Sequence, residues 1–196
     1  MPYARITRVI FNPSKYDPMM AIAKSIDFSG WSGLRLLTVT RVAEDTVLVT
    51  AGYENKAAAD ANVENAKVSL GKMAELMTEE PFVREGDVVW GFDGDQSLTP
   101  GYVHHVFVDF DPAKYDGFIS YFDTTRERSR GVAGLIRFRL SRILENRMVA
   151  VGVYDNKASA DAVQENMRAI MPGIGEFVTG DYNIREGEVV LRHGYR

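Results

Sequence analysis

Tyr53-Glu54-Asn55-Lys56-Ala57-Ala58-Ala59-Asp60-Ala61 returns 101 positions later as Tyr154-Asp155-Asn156-Lys157-Ala158-Ser159-Ala160-Asp161-Ala162. A stretch written twice at such a distance marks a chain made of two copies that fold alike. Its residues also say how each copy folds locally. A tyrosine ends a β-rich run, an asparagine supplies the side-chain oxygen that caps a helix, and the alanines that follow favour that helix. Outward from this stretch the copies stay in step. Tyr102, Val108, Phe110, Pro112, Lys114, Tyr115 and Asp116 repeat Tyr3, Val9, Phe11, Pro13, Lys15, Tyr16 and Asp17 at an offset of 99. Gly134, Leu135, Arg142, Glu145, Arg185, Glu186 and Gly187 repeat Gly33, Leu34, Arg41, Glu44, Arg84, Glu85 and Gly86 at 101. The offset changes before Gly134, in a loop, where insertion costs little.

In the first copy, Tyr3 to Phe11 reads as a strand stopped by Asn12-Pro13. Asp17 before Pro18 reads as an N-cap and first helical residue, with Met19, Ile22, Ala23 and Ile26 as the apolar face. Leu34 to Arg41 and Thr46 to Tyr53 form a hairpin turned at Ala43-Glu44-Asp45. A helix capped by Asn55 then buries Ala59, Val63, Ala66 and Leu70, and a shorter helical piece runs to Glu80. Arg84-Glu85-Gly86-Asp87 reads as a turn into a last strand at Val88-Val89-Trp90. The order is βαββαβ, and the second copy repeats it, with Ala160, Val163, Met167 and Ile170 as its helix stripe. Asp93 to Gly101 is polar and rich in breakers. The expected division is therefore a repeat at 1–92, a linker at 93–101 and a repeat at 102–196.

Composition narrows the function classes. The chain has 196 residues, 45% hydrophobic and 26% charged, ordinary values for a globular protein. Its net charge of -4 gives no general attraction to nucleic acid or anionic membrane. Arg126, Arg128, Arg130, Arg137, Arg139, Arg142 and Arg147 crowd one region, but without the interleaved aromatics of a nucleic-acid surface. There is no cysteine, so disulfides, thiolate nucleophiles and Cys-ligated metals are excluded, and a reducing cytoplasm is the expected compartment. Met1-Pro2-Tyr3 runs straight into strand-like sequence, so no export signal is expected, and no apolar run approaches bilayer length. No His/carboxylate spacing resembles a metal motif, and no phosphate loop, dinucleotide fingerprint or catalytic triad motif is present.

A βαββαβ unit of this size resembles the ferredoxin-like fold. The aromatic-acidic-Asn-Lys-Ala helix start and the late Glu-Gly-Asp/Glu-Val-Val strand resemble the dimeric α+β barrel superfamily, in particular its antibiotic-biosynthesis-monooxygenase-like branch. The resemblance covers almost the whole chain. It implies an α+β fold in which two tandem units pack their antiparallel sheets into one barrel, a pseudo-dimer within one chain that could pair again as a homodimer. The physical logic agrees: each sheet has one face under its own helices, and a second sheet would cover the other. A ligand is expected in the space between the sheets. The resemblance implies cofactor-independent oxygenation of a small aromatic or polyketide-like compound. The alternatives are a non-catalytic barrel that binds a small hydrophobic or anionic ligand or serves as a stress-related accessory protein, and haem binding through His104, His105 or His193.

Alternation along the strands then selects candidates. If Ile136, Phe138 and Leu140 pack under helices, Arg137 and Arg139 point the other way, where the first copy has Leu36 and Thr38. Two arginines there suit a carboxylate, phenolate or oxyanion, or else stand solvated at a barrel rim. If Val108 and Phe110 face helices, His105 and Asp109 face the ligand, with His105 as general base. Trp31 and Trp90 are candidate walls for a planar substrate, or plain core. Tyr53 and Tyr154, present in both copies, read as structural.

Overall fold

Asn55 Oδ1 accepts from the Ala58 N–H at 2.9 Å and Asn156 Oδ1 from the Ser159 N–H at 3.0 Å. The repeated stretch is thus a strand end followed by a capped helix in both copies. The structure, a computed structural model, describes residues 1–130, 132–170 and 173–195, and the side chains among them outside 127–130 and 164–170.

The strands are β1 (Tyr3–Ile10), β2 (Leu34–Ala43), β3 (Thr46–Tyr53), β4 (Phe82–Asp93), β5 (Tyr102–Asp109), β6 (Leu135–Leu144), β7 (Arg147–Tyr154) and β8 (Asn183–His193). The helices are α1 (Tyr16–Lys24), α2 (Lys56–Ala61), α3 (Val63–Gly71), α4 (Tyr115–Arg130) and α5 (Lys157–Ile170). Hydrogen-bonded neighbours run β1-β3-β2-β8-β5-β7-β6-β4 and close on themselves. The fold is an α+β barrel of two tandem ferredoxin-like βαββαβ units, as expected.

Local departures from the sequence reading have physical causes. Asp17 is not the N-cap. Asn12 accepts from the Ser14 N–H at 3.1 Å and starts a 3-10 turn at Pro13–Lys15, from which α1 continues at Tyr16 without a side-chain cap. Pro18 still lies in the first turn, where no amide hydrogen is needed. The helix after Asn55 is broken at Asn62, whose amide donates to Ser32 O and Ala58 O, both at 2.8 Å. At the same place the second copy has Val163, and α5 runs unbroken. Of that copy's expected stripe, Ala160 and Val163 are buried, and Met167 and Ile170 lie outside the described side chains. Arg84 to Asp87 is no turn but part of β4, laddered to β1 with Glu85 opposite Arg5 and Gly86 opposite Ala4. The pairing overrides a local composition that reads as a breaker.

The chain separates into two compact units, Met1–Asp87 with Val189–Tyr195, and Val88–Glu188. The first unit therefore takes in the end of β8, and the second the end of β4. Each has its own apolar core between sheet and helices. In the first it includes Val9, Phe11, Met19, Leu37 and Ala59, with Leu191 packed against it. In the second it includes Phe92, Phe110, Phe118, Leu140 and Met148. A register shift in β6 between Leu135 and Arg137 gives Leu135 a place in that core, while Ile136 is buried outside it.

Candidate functional site

Each unit holds a cavity on the helix-facing side of its sheet. Corresponding residues line both: Arg5, Val9, Leu37, Val39, Val49, Ala51 and Tyr53 in the first unit, His104, Val108, Phe138, Leu140, Ala150, Gly152 and Tyr154 in the second. The first cavity measures about 90 Å³ and the second about 310 Å³. Smaller residues in the second account for part of the difference, since Ala150 and Gly152 stand where the first has Val49 and Ala51. Phe118 and Phe122 from α4 and Val163 from α5 roof the larger cavity, and the exposed Tyr182 and Ile184 line its outer end.

Within this apolar lining the buried polar groups are His104 and Tyr154. The His104 ring lies 5.2 Å from the Tyr154 ring and 5.6 Å from that of Tyr102, and its Nε2 is 3.1 Å from Glu186 Oε2, at ion-pair distance but off the line of a hydrogen bond. Burial lowers the His104 pKa, against the opposing pull of Glu186 and Asp161. The neutral imidazole is therefore the resting form near pH 7, and it can accept a proton. Burial raises the Tyr154 pKa, so its phenol stays protonated and can donate. Gly152 leaves room for that phenol: a Cβ there would stand 2.5 Å from the Tyr154 hydroxyl oxygen.

The residues singled out from sequence fall elsewhere. His105 is fully buried on the face opposite His104, its ring hydrogen-bonded to the Arg185 backbone, and burial lowers its pKa to about 4. Val151 lies opposite both His105 and Arg139, so these two share a row and a face with one strand between them. Arg139 Nη2 and Arg137 Nε both donate to Asp93 Oδ1, at 2.6 and 2.9 Å, and Arg137 also donates to Gln96 Oε1 at 2.8 Å. Asp109 takes a two-pronged ion pair from Arg147, at 2.6 and 2.7 Å. Trp31 lines the first unit's cavity, whereas Trp90 sits in the second unit's core with its indole N–H on Asp123 Oδ1 at 2.8 Å and Arg126 over its ring. The side chains of Arg128 and Arg130 lie outside the described residues. From sequence alone His104 is a candidate only as a haem ligand, and Tyr154 reads only as structure. The signal that marks them is the comparison of helix-facing positions between the copies, where Arg5, Val49 and Ala51 give way to His104, Ala150 and Gly152.

No protein-family model matches the chain, and neither does any curated protein. Solved structures do. A provisionally named monooxygenase from Fusobacterium nucleatum has a TM-score of 0.82 at 14% identity, over 97% of this chain and 93% of its own. A provisionally named monooxygenase from Lactobacillus acidophilus has a TM-score of 0.76 at 13% identity, over 97% and 99%. An anthrone oxidase-like protein has a TM-score of 0.68 at 14% identity, over 98% and 92%. At these identities the likeness shows the fold. Among the described residues no group of three or more His or carboxylate side chains could hold a metal ion, and no helix is long and apolar enough to cross a membrane.

Proposed function

We propose that the second unit's cavity binds a small, largely apolar ring compound and that His104 takes a proton from it, in a cofactor-independent oxygenation of the monooxygenase type. The observation that carries this reading is the cavity of about 310 Å³ whose aromatic and aliphatic walls enclose one neutral imidazole beside a phenol donor. A site for such chemistry needs to enclose the substrate, accept a proton and stabilise the anion. His104 would be the base and the Tyr154 O–H the donor to the anion. The likeness in fold to structures named as monooxygenases and as an anthrone oxidase-like protein supports the reaction class by analogy. The balance closes without a cofactor. The deprotonated ring carbon gives electrons to dioxygen, a CH₂ loses two hydrogens and gains one oxygen atom as a ketone, and the second oxygen atom leaves as water.

Oxygen uptake with dithranol, an anthrone, tests the proposal. Uptake by the wild-type chain that falls at least about 100-fold in His104→Gln is expected for a general base. Uptake unchanged in His104→Gln overturns the assignment of the base. Binding of dithranol without any uptake would make the chain a ligand-binding barrel instead.

A further inference from the structure

Arg5 and His104 occupy the same place in the two repeats, and each stands opposite the repeated glutamate in its ladder, Arg5 against Glu85 and His104 against Glu186. In the first unit the place is filled by a cation whose partners are all at hand. Arg5 Nε donates to Glu85 Oε2 at 2.6 Å, Nη1 donates to Ala59 O at 3.1 Å, and the guanidinium lies 5.7 Å from the centre of the Tyr53 ring. The second unit keeps the glutamate and the tyrosine as Glu186 and Tyr154, has Ala160 at the place of Ala59 in the repeat, and puts an imidazole at the centre. Even the outer pairs recur: Lys56 with Asp60 beside Tyr3, and Lys157 with Asp161 beside Tyr102. One frame thus has two occupants of different chemistry. Arginine stays charged at any working pH and has no acceptor, whereas neutral imidazole accepts a proton.

The exchange coincides with the wider cavity, so the unit that can accept a proton is also the one with room for a ligand. We infer that of these two frames the second is the proton-accepting one, and that Glu186 is its positioning residue, its carboxylate standing at ion-pair distance from the His104 ring where Glu85 stands beside Arg5. The source of the proton rests on the proposed function; the pairing does not. The charged and titratable groups facing His104 are Glu186 on β8, Asp161 and Lys157 on α5, Tyr102 on β5 and Tyr154 on β7. Glu186 is the first of them to favour imidazolium, against the larger effect of burial. Once His104 takes a proton, that carboxylate, 3.1 Å from Nε2, stabilises the imidazolium.

The test uses the whole chain. Imidazole NMR titrations compare wild type, Glu186→Gln and Glu85→Gln, with the His104 signals assigned by their loss in His104→Gln. In parallel, His104→Arg is measured for melting temperature and for oxygen uptake with dithranol. The His104 midpoint is expected to move down in Glu186→Gln, where the charge favouring imidazolium is gone, and to stay put in Glu85→Gln. His104→Arg, which copies the first unit, is expected to melt close to wild type and to take up no oxygen. An unmoved midpoint in Glu186→Gln overturns the positioning role, and uptake retained in His104→Arg overturns the second frame as the proton acceptor. If dithranol drives no uptake in wild type while Glu186→Gln moves the midpoint, the proposed reaction fails and the pairing stands. Should His104→Arg not fold, the Glu186→Gln titration alone decides the positioning role, and uptake lost in His104→Gln but kept in Arg5→Gln decides for the second frame.

Discussion

The Tyr154 phenol lies across Gly152 so closely that a single added carbon at Gly152 would meet its hydroxyl oxygen at 2.5 Å. The first unit has Ala51 at that place, and its cavity is less than a third as large. Gly152→Ala is therefore expected to push the phenol off its seat at a cost of about 1–3 kcal/mol, the usual range for overpacking. Ala150→Val, which copies Val49, fills the cavity from the same strand. Urea denaturation measures the first effect, and titration of the double variant with dithranol measures the second. The double variant is expected to lose dithranol binding while staying folded, as the first unit does with those residues.

The helix caps make a separate prediction. Asn55→Ala and Asn156→Ala should each cost about 1 kcal/mol, because each side chain satisfies an N–H at the start of a helix. Asp17→Ala should cost clearly less, since α1 begins at Tyr16 and the cap belongs to Asn12. Urea denaturation of the three variants at one pH checks this ordering.

Those caps also show what a sequence can make visible. Asn55 was legible because its partner N–H lies three residues on and nothing distant competes for its side chain. Asp17 was misplaced because proline fits anywhere in a first helical turn, so Pro18 gave the turn without its first residue. Arg84 to Asp87 looked like a turn because β4 is held there by β1, eighty residues away, which local composition cannot report. The site was half legible. Alternation correctly separated His104 from His105, but the choice between them hung on where empty space lies. Part of that space comes from the small Ala150 and Gly152, a property of packing that periodicity within one copy does not contain.

His105 should leave its own mark on stability. Its pKa falls from 6.5 to about 4 on folding because burial disfavours the charged ring. The folded state then binds fewer protons than the unfolded one between these values, so stability drops as pH falls from 6.5 toward 4 and levels off below. For this one group the loss amounts to about 3 kcal/mol. In His105→Gln that slope should be shallower, even though the variant starts from a lower stability near pH 7. Urea midpoints collected across this pH range give both quantities, and an unchanged slope would remove His105 as its cause.

Asp93 should act in the same sense as His105, losing stability as pH falls, but in the lower window of a carboxylate. Burial alone would raise its pKa, but Arg139 and Arg137, both donating to Oδ1, outweigh burial and hold it below the ordinary carboxylate value. A carboxyl depressed in this way contributes stability above its unfolded pKa and loses that contribution as pH falls through the folded one. Asp93→Asn is therefore expected to be less stable than wild type near pH 7, with the gap closing in strong acid. The same contacts tie the end of β4 to β6, so the two arginines have a structural task whatever binds under the helices. Arg137→Ala should accordingly lower stability and leave oxygen uptake with dithranol unchanged. A fall in uptake at full stability would instead bring Arg137 back as an anion-stabilising residue, and with it a ligand on the His105 face of the sheet.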